Sequence, residues 1–232
     1  MSAARKLIDS FTRSLGYLKR NRQISVDGRG PVKLNLGCGL AVATDWLNVD
    51  GSPNALIATL PSGFHRLAYR LTGANRYYSE DEYCRLLGKH RFVHHDLAYG
   101  IPFPDASADF VYSSHFLEHL YRAQGAHLIR EAFRVLKPGG VVRVAVPDLE
   151  YAISLYGCGE KQKMLMNYFF VEDMESHYAR HKYMYDFALL RNLLEASGFS
   201  KVTRCAYREG DTPELTLLDN RPEETLFVEA RK

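Results

Sequence analysis

The chain has 232 residues, 46% of them hydrophobic and 25% charged, with a net charge of +3. That length accommodates one α/β domain with additions, and the composition is that of a soluble globular protein. The charge is too small to imply a nucleic-acid partner, and no apolar run approaches the ~20 residues of a membrane span. Four scattered cysteines (Cys38, Cys84, Cys158, Cys205) form no C-x-x-C pair and fit reduced thiols. With no signal-peptide pattern at the N-terminus, a cytoplasmic location is expected.

Residues 3–22 place Leu7, Phe11, Leu15 and Leu18 at near-helical spacing among Arg5, Lys6, Arg13, Lys19, Arg20 and Arg22. This predicts a basic amphipathic helix within an N-terminal segment, 1–30. Such a helix packs on its own domain or on a partner subunit; peripheral membrane contact is the second reading. Asp27-Gly28-Arg29-Gly30-Pro31 breaks the chain before the main domain, 31–232.

Val32–Leu36 reads as a buried strand ending abruptly in Gly37-Cys38-Gly39, and Trp46–Asp50 as a second strand ending in a carboxylate. Glycines at a strand tip allow a tight turn and let a ligand approach the backbone. Only about nine residues separate these strands, fewer than the ~10–12 of a helical crossover, so the first helix is predicted to shrink to a turn. A helical insertion, 51–91, follows, with helices near 54–60, 64–72 and 79–88. Next come a strand over Phe92–Leu97, a proline-set turn over Ile101–Asp105 and a strand over Phe110–Ser113. A helix then runs to Leu136, where Lys137-Pro138-Gly139-Gly140 stops it.

Val141–Val146 is a β-branched strand interrupted by Arg143 and ending at Pro147. The aromatic-rich segment 148–186 is expected to serve the substrate. A helix capped by Asp186 runs to Gly198. Lys201–Arg208 and Thr225–Ala230 close the chain as strands joined through a turn-rich loop, which suits an antiparallel pair at a sheet edge. The predicted fold class is therefore α/β: a doubly wound, mostly parallel seven-stranded sheet with an antiparallel edge hairpin and a shortened first helix. In such sheets ligands bind beyond the carboxyl ends of the strands.

Several motifs in this order carry a family resemblance: Leu34-Asn35-Leu36-Gly37-Cys38-Gly39, Asn48-Val49-Asp50, His95-Asp96-Leu97, Pro102-Phe103-Pro104-Asp105, the Phe110–Leu120 block and Glu131–Gly140. The chain resembles class I S-adenosylmethionine-dependent methyltransferases of Rossmann-like fold. It is similar in particular to small bacterial ones associated with surface-polysaccharide or glycolipid assembly. The resemblance implies S-adenosylmethionine as cofactor. The backbone of Gly37, Cys38 and Gly39 would lie along its methionyl part, and Asn35 would accept from its ammonium. Asp50 would hold the ribose hydroxyls, Asp96 and Leu97 the adenine, and Ser114 would border the methyl donor. Two departures stand out: Asn35 occupies the usual position of an acidic residue, and Ala41 that of a third glycine.

A small-molecule or glycan acceptor is expected, with no nucleic acid; oligomeric state is open. A hydroxyl acceptor needs a base near neutral pH, and the candidates are His115, His119 and His181. Each also has a plain reading, as helix-start or helix-entry packing. His115-Phe116-Leu117-Glu118-His119 matches the H-x-x-E-H metal pattern, but that pattern needs one helix with a third ligand downstream, and here it straddles a strand end and a helix start, so no metal is expected. Asp148 and Glu150 either cap the next helix or line the acceptor site. Two other functions compete: a nicotinamide-dependent oxidoreductase, which lacks its G-x-G-x-x-G here, and a non-catalytic cofactor-binding scaffold.

Overall fold

The computed structural model describes residues 12, 14–26, 30–72, 74–169 and 180–232. Helix α1 covers residues 14–19, and the predicted helical residues 3–11 lie outside the described set. β1 (Lys33–Leu36) and β2 (Leu47–Asp50) follow, and residues 37–46 between them hold turns and no helix. Three helices, α2 (Pro53–Ala58), α3 (Gly63–Thr72) and α4 (Glu80–Lys89), lead to β3 (Arg91–His94). Then come β4 (Ala108–Ser114), α5 (Arg122–Val135), β5 (Leu136–Pro147), α6 (Leu149–Gly157), α7 (Lys161–Met164), α8 (Phe187–Ala196), β6 (Ser200–Cys205), α9 (Leu215–Leu218) and β7 (Thr225–Arg231).

The sheet order is β3-β2-β1-β4-β5-β7-β6, parallel except where β7 runs antiparallel to both β5 and β6. The order reverses between β1 and β4, which opens a crevice at their carboxyl ends. Two elements depart from expectation. Lys137–Gly140 does more than stop α5: it already belongs to β5, because Leu136 pairs with Ala108 and Gly139 and Gly140 bond the terminal Lys232. The β6–β7 connection is not a plain loop, since it folds into α9.

One face of the sheet buries Leu34, Leu36, Val111, Val142, Val144 and Val228 against Leu128 and Ala132 of α5 and Leu190 and Leu194 of α8. On the other face the register lines up Asn48, Asn35, Tyr112, Arg143 and Glu229 in one row across five strands. Residues paired across a sheet share a face, so this row is where a full first helix would pack. The β6–β7 connection covers it instead. Leu215 and Leu218 pack on Trp46 and Tyr112, and the Tyr112 hydroxyl donates to the Leu218 carbonyl at 2.9 Å. Glu214 accepts from Trp46 Nε1 at 2.8 Å and Lys33 Nζ at 2.9 Å. The short β1–β2 connection is thus compensated from the far end of the chain.

The Ile101–Asp105 turn is held by α5. Arg134 donates to Glu131 through Nε at 2.8 Å and Nη2 at 2.7 Å, and to the carbonyls of Ile101 and Phe103. Ile101 N donates to Glu131 at 2.9 Å. Burial pushes the Glu131 carboxyl up, but Arg134 and the Ile101 amide outweigh it and hold the group below its usual range. A carboxylate whose folded value is depressed stabilises the fold above the unfolded value of ~4.3, and the contribution is lost as pH falls through the depressed one. Glu131→Gln is therefore expected to cost about 1–2 kcal/mol at pH 7. Urea unfolding should show the gap to wild type closing below pH ~4; a gap constant with pH would contradict the ionic account.

Candidate active site

Most residues singled out for a ligand lie at or just beyond the carboxyl ends of β1, β2, β3 and β4. Gly37 follows β1 with φ +66° and bonds Val49 of β2 through its amide. A Cβ there would overlap the ring of Phe116, which follows β4, so the glycine turn and the β4 end are in direct contact. Asp50 closes β2, buried, accepting from Gly39 N at 2.9 Å and Ser52 N at 2.6 Å. Each carboxylate oxygen has a further lone pair for a ligand hydroxyl. Asn35 is buried, and its amide donates to the Ala41 carbonyl at 2.9 Å and to Asn48 at 3.0 Å. It therefore braces the turn from behind. Cys38 is packed inward; burial first and the Asp50 charge second push its thiol well up, so it stays neutral.

At the β3 end, Asp96 accepts from Ala98 N at 3.0 Å and Leu97 is buried beside it. Helix α1 lies over this end. Gly16 abuts Asp96 so closely that an added Cβ would stand 3.0 Å from the Asp96 Cβ, and Lys19 Nζ reaches His94 at 3.2 Å. The described part of the N-terminal segment packs on its own chain.

At the β4 end, Ser114 is followed by His115, whose φ of +49° is rare outside glycine. The next turn, Leu117–His119, carries Glu118, whose side chain is 1% exposed. The Glu118 carbonyl accepts from Lys182 N at 2.7 Å and Tyr183 N at 3.2 Å, which pins the segment before α8 to the β4 end. His181 thereby joins His119, with ring centroids 5.1 Å apart. The three histidine candidates converge on one carboxylate: His115 Nδ1 and His119 Nε2 stand 3.5 and 3.7 Å from Glu118 Oε1. Glu118, met in the sequence only as the acidic position of H-x-x-E-H, is the carboxylate on which this cluster centres.

Asp148 takes its capping role, accepting from Glu150 N at 2.9 Å and from Arg204 at 2.7 Å, while Glu150 pairs with Arg204. Of the aromatics in 148–186, Tyr168 and Tyr185 are buried, Tyr156 and Phe169 are exposed, and Phe170 and Tyr178 lie outside the described residues.

The chain is similar to known methyltransferases. Residues 34–144, just under half of the chain, match a family profile described as a methyltransferase domain. Over 62 residues the chain is 40% identical to a Mycolicibacterium smegmatis protein described as an S-adenosylmethionine-dependent methyltransferase; the match covers 25% of this chain and 23% of that one. Among solved structures, a Bordetella parapertussis protein described as a candidate exported protein superposes with a TM-score of 0.52 at 18% identity. That superposition covers 99% of this chain and 68% of that one. An S-adenosylmethionine-dependent methyltransferase from Thermotoga maritima reaches 0.50 at 15% identity, covering 99% and 97%. The architecture and the matched segment together define a class I methyltransferase fold.

Proposed function

We propose that the chain transfers a methyl group from S-adenosylmethionine to a hydroxyl of a saccharide or glycolipid. In this reading the methionyl part of the cofactor lies along Gly37, Cys38 and Gly39, on the turn that Asn35 braces. Asp50 takes the ribose hydroxyls, Asp96 and Leu97 the adenine, and Ser114 borders the methyl group. Methyl transfer is an in-line displacement, so orientation and exclusion of water carry most of the rate. The observation that supports a hydroxyl acceptor is the His115–Glu118–His119–His181 cluster at the β4 end, joined to the cofactor turn through Phe116 on Gly37. Hydroxyls need activation, and imidazole next to a carboxylate supplies it near neutral pH. Exposed Tyr121, beside this cluster, offers a face on which a sugar ring can stack.

The test uses cofactor carrying a labelled methyl group, offered with a panel of glycans and glycolipids, small acids and RNA. Label in a saccharide fraction is the expected result. Label confined to small acids or RNA would reject the acceptor class while leaving methyl transfer standing.

A further inference from the structure

The Glu118 cluster carries more than an acid–base role. One oxygen of Glu118 and one ring nitrogen each of His119 and His181 lie within 4.8 Å of one another. The tautomers of both histidines are set from behind by backbone carbonyls. His119 Nδ1 is 3.2 Å from the Arg180 carbonyl, and His181 Nδ1 is 2.8 Å from the Tyr168 carbonyl. A carbonyl only accepts, so both Nδ1 atoms carry the proton, and in the neutral ring the lone pair lies on Nε2. Metal-ligating histidines are oriented by this same arrangement.

In front, three electron-pair donors therefore face one another. Both Glu118 oxygens are buried and without a hydrogen-bond partner among the described residues. His115 Nδ1 and His119 Nε2 face its Oε1 at 3.5 and 3.7 Å, and a buried carboxylate so loosely paired favours a cation beside it. Lys182 Nζ, next to the cluster, is turned to the His119 carbonyl at 2.8 Å and over the Tyr121 ring. His115 Nδ1 lies 3.5 Å from the same Glu118 oxygen that faces His119, with its Nε2 on the Thr225 hydroxyl at 3.1 Å.

We propose that Glu118, His119 and His181 bind one divalent transition-metal ion, of the zinc type. Two imidazoles and a carboxylate suit zinc or cobalt over magnesium or calcium, which prefer all-oxygen shells. Three protein ligands leave a fourth position, on the side where His119 is 21% exposed. Zinc bonds of ~2.0–2.2 Å require the donors, now within 4.8 Å of one another, to close in by side-chain rotation. An ion there acts as a Lewis acid on an oxygen in the open position. Binding itself does not depend on methyl transfer and stands or falls separately from it.

The test is titration of the full chain, free of any polyhistidine tag, with cobalt(II) and then zinc(II). One equivalent of cobalt should give the strong visible absorption of a four-coordinate ion, abolished by an equivalent of zinc. His119→Ala and His181→Ala should each weaken cobalt binding by about tenfold or more, while His127→Ala on α5 leaves it unchanged. Glu118→Gln is scored by zinc-induced rise in melting temperature, which wild type shows and the variant loses, so a poorly folded variant does not mask the answer. The proposal is overturned if no cobalt spectrum of this type appears. It is equally overturned if the two histidine variants bind as wild type does, or if His127→Ala loses binding to the same extent.

Discussion

Arg143→Ala is expected to cost about 3–5 kcal/mol, most of the stability margin of a domain of this size. Arg143 is fully buried in β5, and every guanidinium hydrogen has an acceptor. Nε and Nη2 bond Asp219 at 3.0 and 2.6 Å, Nη1 bonds Glu229 at 3.1 Å, and the carbonyls of Glu209 and Ala206 take the rest. The carboxylates in turn accept from the backbone amides of Arg208, Asp211 and Thr212. Removing the cation leaves two buried carboxylates and frees the connection that covers the Asn35–Tyr112 face. Arg143→Lys should fail nearly as badly, because one ammonium cannot reach five acceptors. Urea unfolding measures both variants. A loss below about 1 kcal/mol for Arg143→Ala would show that the network is not what holds this cover.

The second large effect is expected at Gly37. Gly37→Ala places a methyl group at φ +66°, which costs about 1–2 kcal/mol, and drives it into the Phe116 ring, for about 1–3 kcal/mol more. Cofactor affinity should fall by about tenfold or more, since a displacement of the turn moves every contact along the methionyl part. Adding Phe116→Ala should recover the steric share of the stability and not the conformational share, a non-additivity that a double-mutant cycle reads directly. Additive losses would mean that the Phe116 contact is unimportant.

The fold was largely legible because each strand ends in turn chemistry and the strands alternate with helical periodicity. The shortened β1–β2 connection was readable from length alone. What covers the bared sheet face was not, since Glu214, Leu218 and Asp219 reach it from more than a hundred residues away in sequence. Arg143 looked like a flaw in an apolar strand for the same reason: its partners are visible only in three dimensions. Lys137–Gly140 read as a helix stop because Pro and Gly punctuate sequence strongly. Its place in β5 depends on pairing with the C-terminus.

The site divides along the same line. Gly37–Gly39, Asp50 and Asp96 announce themselves by standing at strand ends. The convergence at Glu118 does not, because H-x-x-E-H fails the single-helix rule and His181 arrives only through the Lys182 and Tyr183 amides bonded to the Glu118 carbonyl.

The central claim is that the Gly37–Gly39 turn and Asp50 form a site for a sulfonium cofactor. Calorimetric titration with S-adenosylhomocysteine, run in parallel with NAD, tests it most directly. One equivalent of S-adenosylhomocysteine should bind, with NAD giving no heat and with binding weakened in Gly37→Ala. Saturable binding of NAD in place of S-adenosylhomocysteine, or binding indifferent to Gly37→Ala, would contradict the account.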